Sequence, residues 1–181
     1  MFGKLFQTRP EKKLARELYD SGVRAARQKG HYLDDAVPDT LEGRLEMVML
    51  HTALIIRELN ASGGEAGKEL AQDVFDSMFD DFDAAMREMG VGDSAVGKKI
   101  RFMAEGFYGR ASAYADALNG KGEESLDAIL ARNVFADDED ATAQKQLAVY
   151  VKKSAEMLAE QGFEGLKAQA DARFPEPAAQ L

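Results

Sequence analysis

From Pro10 onward, apolar residues return every three or four positions along nearly the whole chain, and nowhere do they alternate in the two-residue rhythm of a half-buried strand. That spacing places an apolar stripe on each of a series of helices, with glycine, proline and asparagine marking the breaks. It predicts an all-α protein, a single-domain bundle of six or seven helices with no internal repeat and no interior linker. A basic segment over residues 1–9 leads into a helical domain over 10–174, and the closing PEPAAQL, residues 175–181, reads as a disordered tail.

Pro10 suits the first turn of a helix through Leu14, Leu18 and Val23 to a stop at Gly30, because no helix satisfies the N–H that proline lacks there. His31 to Thr40 reads as a connection. Asp39 and Glu42 stand at the spacing of a capping box for a second helix, which carries Leu41, Leu45, Val48, Thr52, Ile55 and Leu59 on one face and closes over Asn60 to Gly64. A third helix is expected over Lys68 to Met89, stopped by Gly90, and a fourth over Ser94 to Leu118, capped by Asp93 or Ser94. Ser125 to Val134 reads as a short helix, Asp137 to Asp140 as an acidic loop, and two further helices end near Gly162 and Phe174.

Composition narrows the picture by exclusion. The 181 residues include no cysteine and two histidines, which removes disulfides, thiolate metal sites, iron–sulfur clusters and histidine-rich metal centres. The longest apolar runs, MVML and ALII, fall far short of the roughly 18 residues a bilayer span needs. The net charge of −9 is uneven: Met1 to Lys29 carries eight Lys and Arg against three Asp and Glu, and the remainder fifteen against twenty-nine. A basic, amphipathic start on an acidic body suits an anionic membrane surface or ribosomal RNA, although a solvated helix face has the same composition. Phe2, Leu5 and Phe6 beside Lys4 and Arg9 lack the apolar core and cleavage site of an export signal, so the chain reads as bacterial and cytoplasmic, with a peripheral place on the inner membrane if that segment rests there.

The third helix concentrates the candidate chemistry. At about 100° per residue, Asp73, Asp76, Asp80, Asp83 and Arg87 share one arc, and Leu70, Val74, Met78, Phe82, Met86 and Met89 the opposite one. Asp81 falls on the apolar side, between Leu70 and Val74, which predicts a partly buried structural carboxylate paired with Arg44, His51, Lys98 or Arg110. Neither His31 nor His51 follows a glutamate by three residues, and Asp137 to Asp140 are contiguous rather than spaced as in a calcium loop, so no metal or other cofactor is expected. Ser94 and Ser112 lack a nucleophile-elbow motif, and Gly90-Val91-Gly92-Asp93 lacks the spacing of a phosphate loop. Gly106 and Gly109 interrupt a fourth helix that otherwise carries Val96, Ile100, Met103, Phe107, Ala111, Tyr114 and Leu118 at core spacing. They suggest close approach of another backbone or of a ligand segment. Met47, Met49, Met78, Met86, Met89 and Met103 would suit an adaptable groove but also an ordinary core.

Three segments together, VPDTLEGRLEMVMLH at Val37 to His51, FDSMFDDFDAAMREMGVGD at Phe75 to Asp93 and GFYGRASAY at Gly106 to Tyr114, resemble the ubiquinol-cytochrome c chaperone family. The likeness spans roughly Leu18 to Tyr150 and implies a non-enzymatic assembly factor for the cytochrome bc1 complex that binds newly made cytochrome b. It further implies a small partner protein and a ribosome contact, and no DNA. On this reading the partner-binding residues are Arg44, His51, Asp76, Asp83, Arg87, Glu88, Asp93, Tyr108 and Arg110, with Asp81 structural. The alternative from another class is an all-helical adaptor whose acidic face binds a basic partner.

Overall fold

A computed structural model describes residues 10–33, 36–135 and 141–177. Among them the chain forms six α-helices and no strand: α1 Pro10–Ala26, α2 Leu41–Ser62, α3 Gly64–Glu88, α4 Asp93–Leu118, α5 Leu126–Val134 and α6 Ala141–Gln169, with a short 3-10 turn at Lys29–His31. The first nine residues and the acidic run Asp137 to Asp140 lie outside the described residues.

α2 is the axis of the bundle and touches every other helix. Its middle, from Met49 to Ile55, is buried on all sides, as expected for a helix apolar around its whole circumference. Thr40, rather than Asp39, caps it: the Thr40 hydroxyl accepts from the Gly43 N–H at 3.0 Å, while Asp39 accepts from Arg44. A single residue, Gly63, separates α2 from α3. A Cβ built on Gly67 would lie 2.1 Å from the Leu59 carbonyl oxygen, so this corner closes only around glycine.

α1 lies across α2 and α3, with Leu18 and Tyr19 in the core and Gly22 admitting Ile55. α4 returns antiparallel to α3 after a turn in which Gly90 has a φ of 82°. Gly92 stands at the N-cap of α4, in place of the expected Asp93 or Ser94, and Asp93 instead meets Arg87 across the turn. α6 breaks at Gly162, where φ is 58° and ψ 179°, so the two expected C-terminal helices abut there. The chain then crosses back over the bundle. The Ala172 N–H donates to Ser21 Oγ at 3.0 Å, Phe174 packs on His51, Pro175 is buried, and Pro177 fills the space beside Gly30. Residues 175–177 are thus packed on the bundle, in contrast to the disordered tail expected from sequence.

His51 is fully buried, which removes it from the surface contacts expected of it. Its Nδ1 lies 2.7 Å from the Met47 carbonyl oxygen, which can only accept, so Nδ1 carries the proton and Nε2 accepts from the Tyr150 hydroxyl at 2.8 Å. Burial holds the imidazole neutral, with its pKa lowered to about 3, and the same cause lowers that of neighbouring His31 to about 4.

Candidate functional site

Three helices leave an open cleft of about 510 Å³ where their apolar faces do not fully meet. The α2 wall comes from Ala53, Ile56, Arg57, Asn60 and Ala61, a ridge at helical spacing. α3 contributes Lys68, Ala71, Gln72 and Phe75, and α4 contributes the stretch from Phe107 to Asn119. Small alanines floor it, and an aromatic cluster closes one end. Phe107 is buried, its ring centroid 5.6 Å from that of Phe75, and Phe75 stacks on Tyr108 at 5.0 Å and 23°. Tyr108 remains 56% exposed, so this stack has one covered face and one free face.

Arg57 enters the cleft from the most buried helix of the protein. Its Nη2 donates to Asn119 Oδ1 at 2.7 Å, its Nε is buried with no acceptor, and among the described residues it pairs with no carboxylate. Sequence reasoning passed over this residue. The available signal was a charged pair, Arg57-Glu58, inside the otherwise apolar stretch Ala53 to Leu59.

Arg110 is turned toward α2, where its Nε and Nη2 donate to the two carboxylate oxygens of Glu46 at 2.9 and 2.8 Å. This fork-to-fork pair ties α4 to α2 beside the cleft. Burial raises the Glu46 pKa and Arg110 opposes the rise. A Cβ on Gly106 would lie 2.8 Å from Arg110 Nη1, the far end of this guanidinium, with no backbone close by. Gly109, by contrast, faces open space: no atom lies within 4 Å of where its Cβ would be. The expectation of close backbone approach is therefore corrected for both glycines within this chain.

The acidic face of α3 forms a second, smaller groove of about 240 Å³, lined by Asp73, Asp76, Ser77 and Asp80 with Lys12 and Arg16 of α1. Asp76 accepts from Gln72 at 2.8 Å. Asp83 and Asp93 both pair with Arg87, which is held at the α3–α4 turn, and Glu88 is exposed beside it. Arg44 pairs with Asp39 and covers the Tyr32 ring at 4.6 Å, away from both grooves. Asp81 is half-buried, but its partners are Arg16 and Tyr19, each at 3.1 Å, and none of the four residues expected. The reason is topological, since α1 packs on α3 at that level.

Met47, Met49, Met78 and Met86 are core residues, Met103 is half-buried, Met89 is 63% exposed at the α3–α4 turn, and Phe102, within α4, is 78% exposed. Among the described residues no cluster of acids and histidines could hold a metal, and no helix is long and apolar enough to cross a membrane. The positive charge counted at the start of the chain is partly neutralised: Lys13, Arg16 and Arg24 pair with Glu17, Asp20 and Asp171.

The described residues thus form an all-helical bundle with an open, largely apolar cleft between α2, α3 and α4. The ubiquinol-cytochrome C chaperone family matches residues 34–170, and the chain belongs to that family. It is similar to a solved structure, the Cbp3 homolog from Brucella abortus, at 34% identity over 94% of this chain and 93% of that one, with a TM-score of 0.80. No match was found among curated protein sequences.

Proposed function

We propose that this chain is a chaperone of cytochrome bc1 complex assembly that binds newly made cytochrome b and holds it until assembly proceeds. The observation that carries the reading is that the family match over residues 34–170 contains all three walls of the cleft. A newly made membrane subunit exposes apolar helices, and the cleft offers an alanine floor and an aromatic end on which such a surface can pack. The function needs differential affinity for the unassembled client and no covalent chemistry.

Asp76, Asp83, Arg87 and Glu88 serve as polar contacts to the loops that flank the client helices, and the exposed Met89 and Phe102 offer separate apolar contacts outside the cleft. The protein works from the cytoplasmic side of the membrane, with exposed Lys12 and its neighbours toward anionic headgroups or ribosomal RNA, and a small partner protein completes the complex.

A reduced-minus-oxidised difference spectrum of membranes from a strain lacking the gene tests the role. Selective loss of the b-type and c1 haem signals of the bc1 complex, restored by complementation and with terminal oxidases kept, is the expected result. Unchanged spectra in a strain with no second family member would exclude it.

A further inference from the structure

We propose that the cleft between α2, α3 and α4 seats a single apolar helix bearing one carboxylate, and that Arg57 is the residue that receives the carboxylate. The inference deepens the chaperone reading and rests on it for the origin of the helix; the chemistry of the seat stands on the geometry alone.

Shape selects a helix. All three walls are ridges of helical side chains, and the α4 wall from Phe107 to Asn119 runs for about 18 Å at 1.5 Å per residue, the length of three helical turns. Ala53, Ala71, Ala111 and Ala115 keep the floor low enough for a fourth helix to approach closely. An occupant with large side chains at helical spacing would complete the packing that the bundle leaves unfinished.

Charge selects the carboxylate. The chain carries a net charge of −9, yet among the described residues no aspartate or glutamate lines this cleft, while Arg57 and Lys68 do. Lys68 is already paired with Glu65. Among the described residues Arg57 donates to the neutral Asn119 oxygen alone, and its half-buried guanidinium, which also borders a neighbouring cleft with Lys152 and Glu156, keeps a buried Nε–H with no acceptor. A carboxylate descending along the cleft presents two acceptors to the guanidinium edge, after a small side-chain shift that frees Nε. A cation at the same level of the occupant would be repelled, so the site also excludes helices of the wrong charge.

The test uses the full chain and three labelled 18-residue Leu/Ala helices with polyethylene-glycol ends, identical except for a central Glu, Gln or Lys, read by fluorescence anisotropy. The Glu helix is expected to bind about tenfold more tightly than the Gln helix, with the Lys helix weakest. Arg57→Gln should equalise Glu and Gln. Ser112→Trp and Ala61→Trp, both at exposed positions on opposite walls, should weaken all three helices at least tenfold while the thermal melt stays cooperative. Equal binding of Glu and Gln helices to the unaltered protein would overturn the inference, as would a Glu preference that survives Arg57→Gln, or unchanged binding by both tryptophan variants. Capture of cytochrome b by a protein that does not discriminate the helices would remove this inference alone. Discrimination without any bc1 phenotype would support the seat and remove the chaperone reading alone.

Discussion

Toward α1, helix α3 presents Asp73, Asp76 and Asp80 across a narrow groove from Lys12 and Arg16, whereas toward α2 and α4 it presents Ala71 and Phe75 to a cleft twice as large. The first surface is charged on both sides. The second is largely apolar, with Arg57 lacking a carboxylate partner among the described residues. The contrast is one of chemistry: among the described residues Asp73, Asp76 and Asp80 have no ion-pair partner, Asp76 accepting from Gln72 alone, while the other side of α3 leaves apolar area uncovered beside a cation. Exposed ion pairs contribute little and are weakened by salt, while uncovered apolar area and a half-buried cation both gain from an occupant.

Phe107→Ala should give the largest effect, because it removes the buried ring under the Phe75–Tyr108 stack. A loss of about 3–5 kcal/mol in urea unfolding is expected. A loss below about 1 kcal/mol would mean that the cleft floor is not part of the core.

Acid separates the core from both grooves. Burial holds His31 and His51 below their ordinary pKa of 6.5, at about 4 and about 3, so the unfolded chain takes up protons that the folded chain refuses. Stability is therefore full above about pH 6.5 and falls as pH drops toward 4, by about 1.4 kcal/mol per pH unit for each histidine. Urea midpoints at pH 7, 6 and 5 check this, and a flat profile would contradict the buried neutral pair.

Glu46→Ala leaves Arg110 without its carboxylate and should cost about 2 kcal/mol, less than a fully buried pair would, since Arg110 keeps 30% of its side chain in water. Asp81→Asn weakens contacts to Arg16 and Tyr19 at a site where the carboxylate is 40% exposed, and should cost under about 1 kcal/mol. The smallest effect on stability belongs to Asp76→Lys with Asp83→Lys, which should leave the unfolding midpoint in place while capture of cytochrome b falls. Unchanged capture by the folded variant would confine the interaction to the cleft.

Helix order and approximate bounds were legible in the sequence because each element carries its own apolar period and its own stop, as α3 does from Leu70 to Gly90. The site was legible only in part. Phe75, Phe107 and Tyr108 stand in unusual words of the sequence, but their stacking requires α3 and α4 to be antiparallel in one register. Asp81 could be placed on the inward side of α3 from its angle alone. Its partners Arg16 and Tyr19 could not, because they lie 65 and 62 positions away on a helix whose docking the local pattern does not encode. Gly106 was visible as an anomaly, yet the guanidinium beside it is four residues on and is drawn inward by Glu46 of another helix. Arg57 shows the same limit, since its unpaired state is a property of the cleft and not of its neighbours in sequence.

The most direct measurement places a photo-crosslinking residue at position 112 in the cleft and, separately, at position 80 in the acidic groove, in cells actively making the bc1 complex. Cytochrome b adducts are expected from position 112, mapping to an apolar helix with an acidic residue, and markedly fewer from position 80. Absence of cytochrome b from the position-112 adducts, with the protein folded and expressed, would contradict the placement of the client in the cleft.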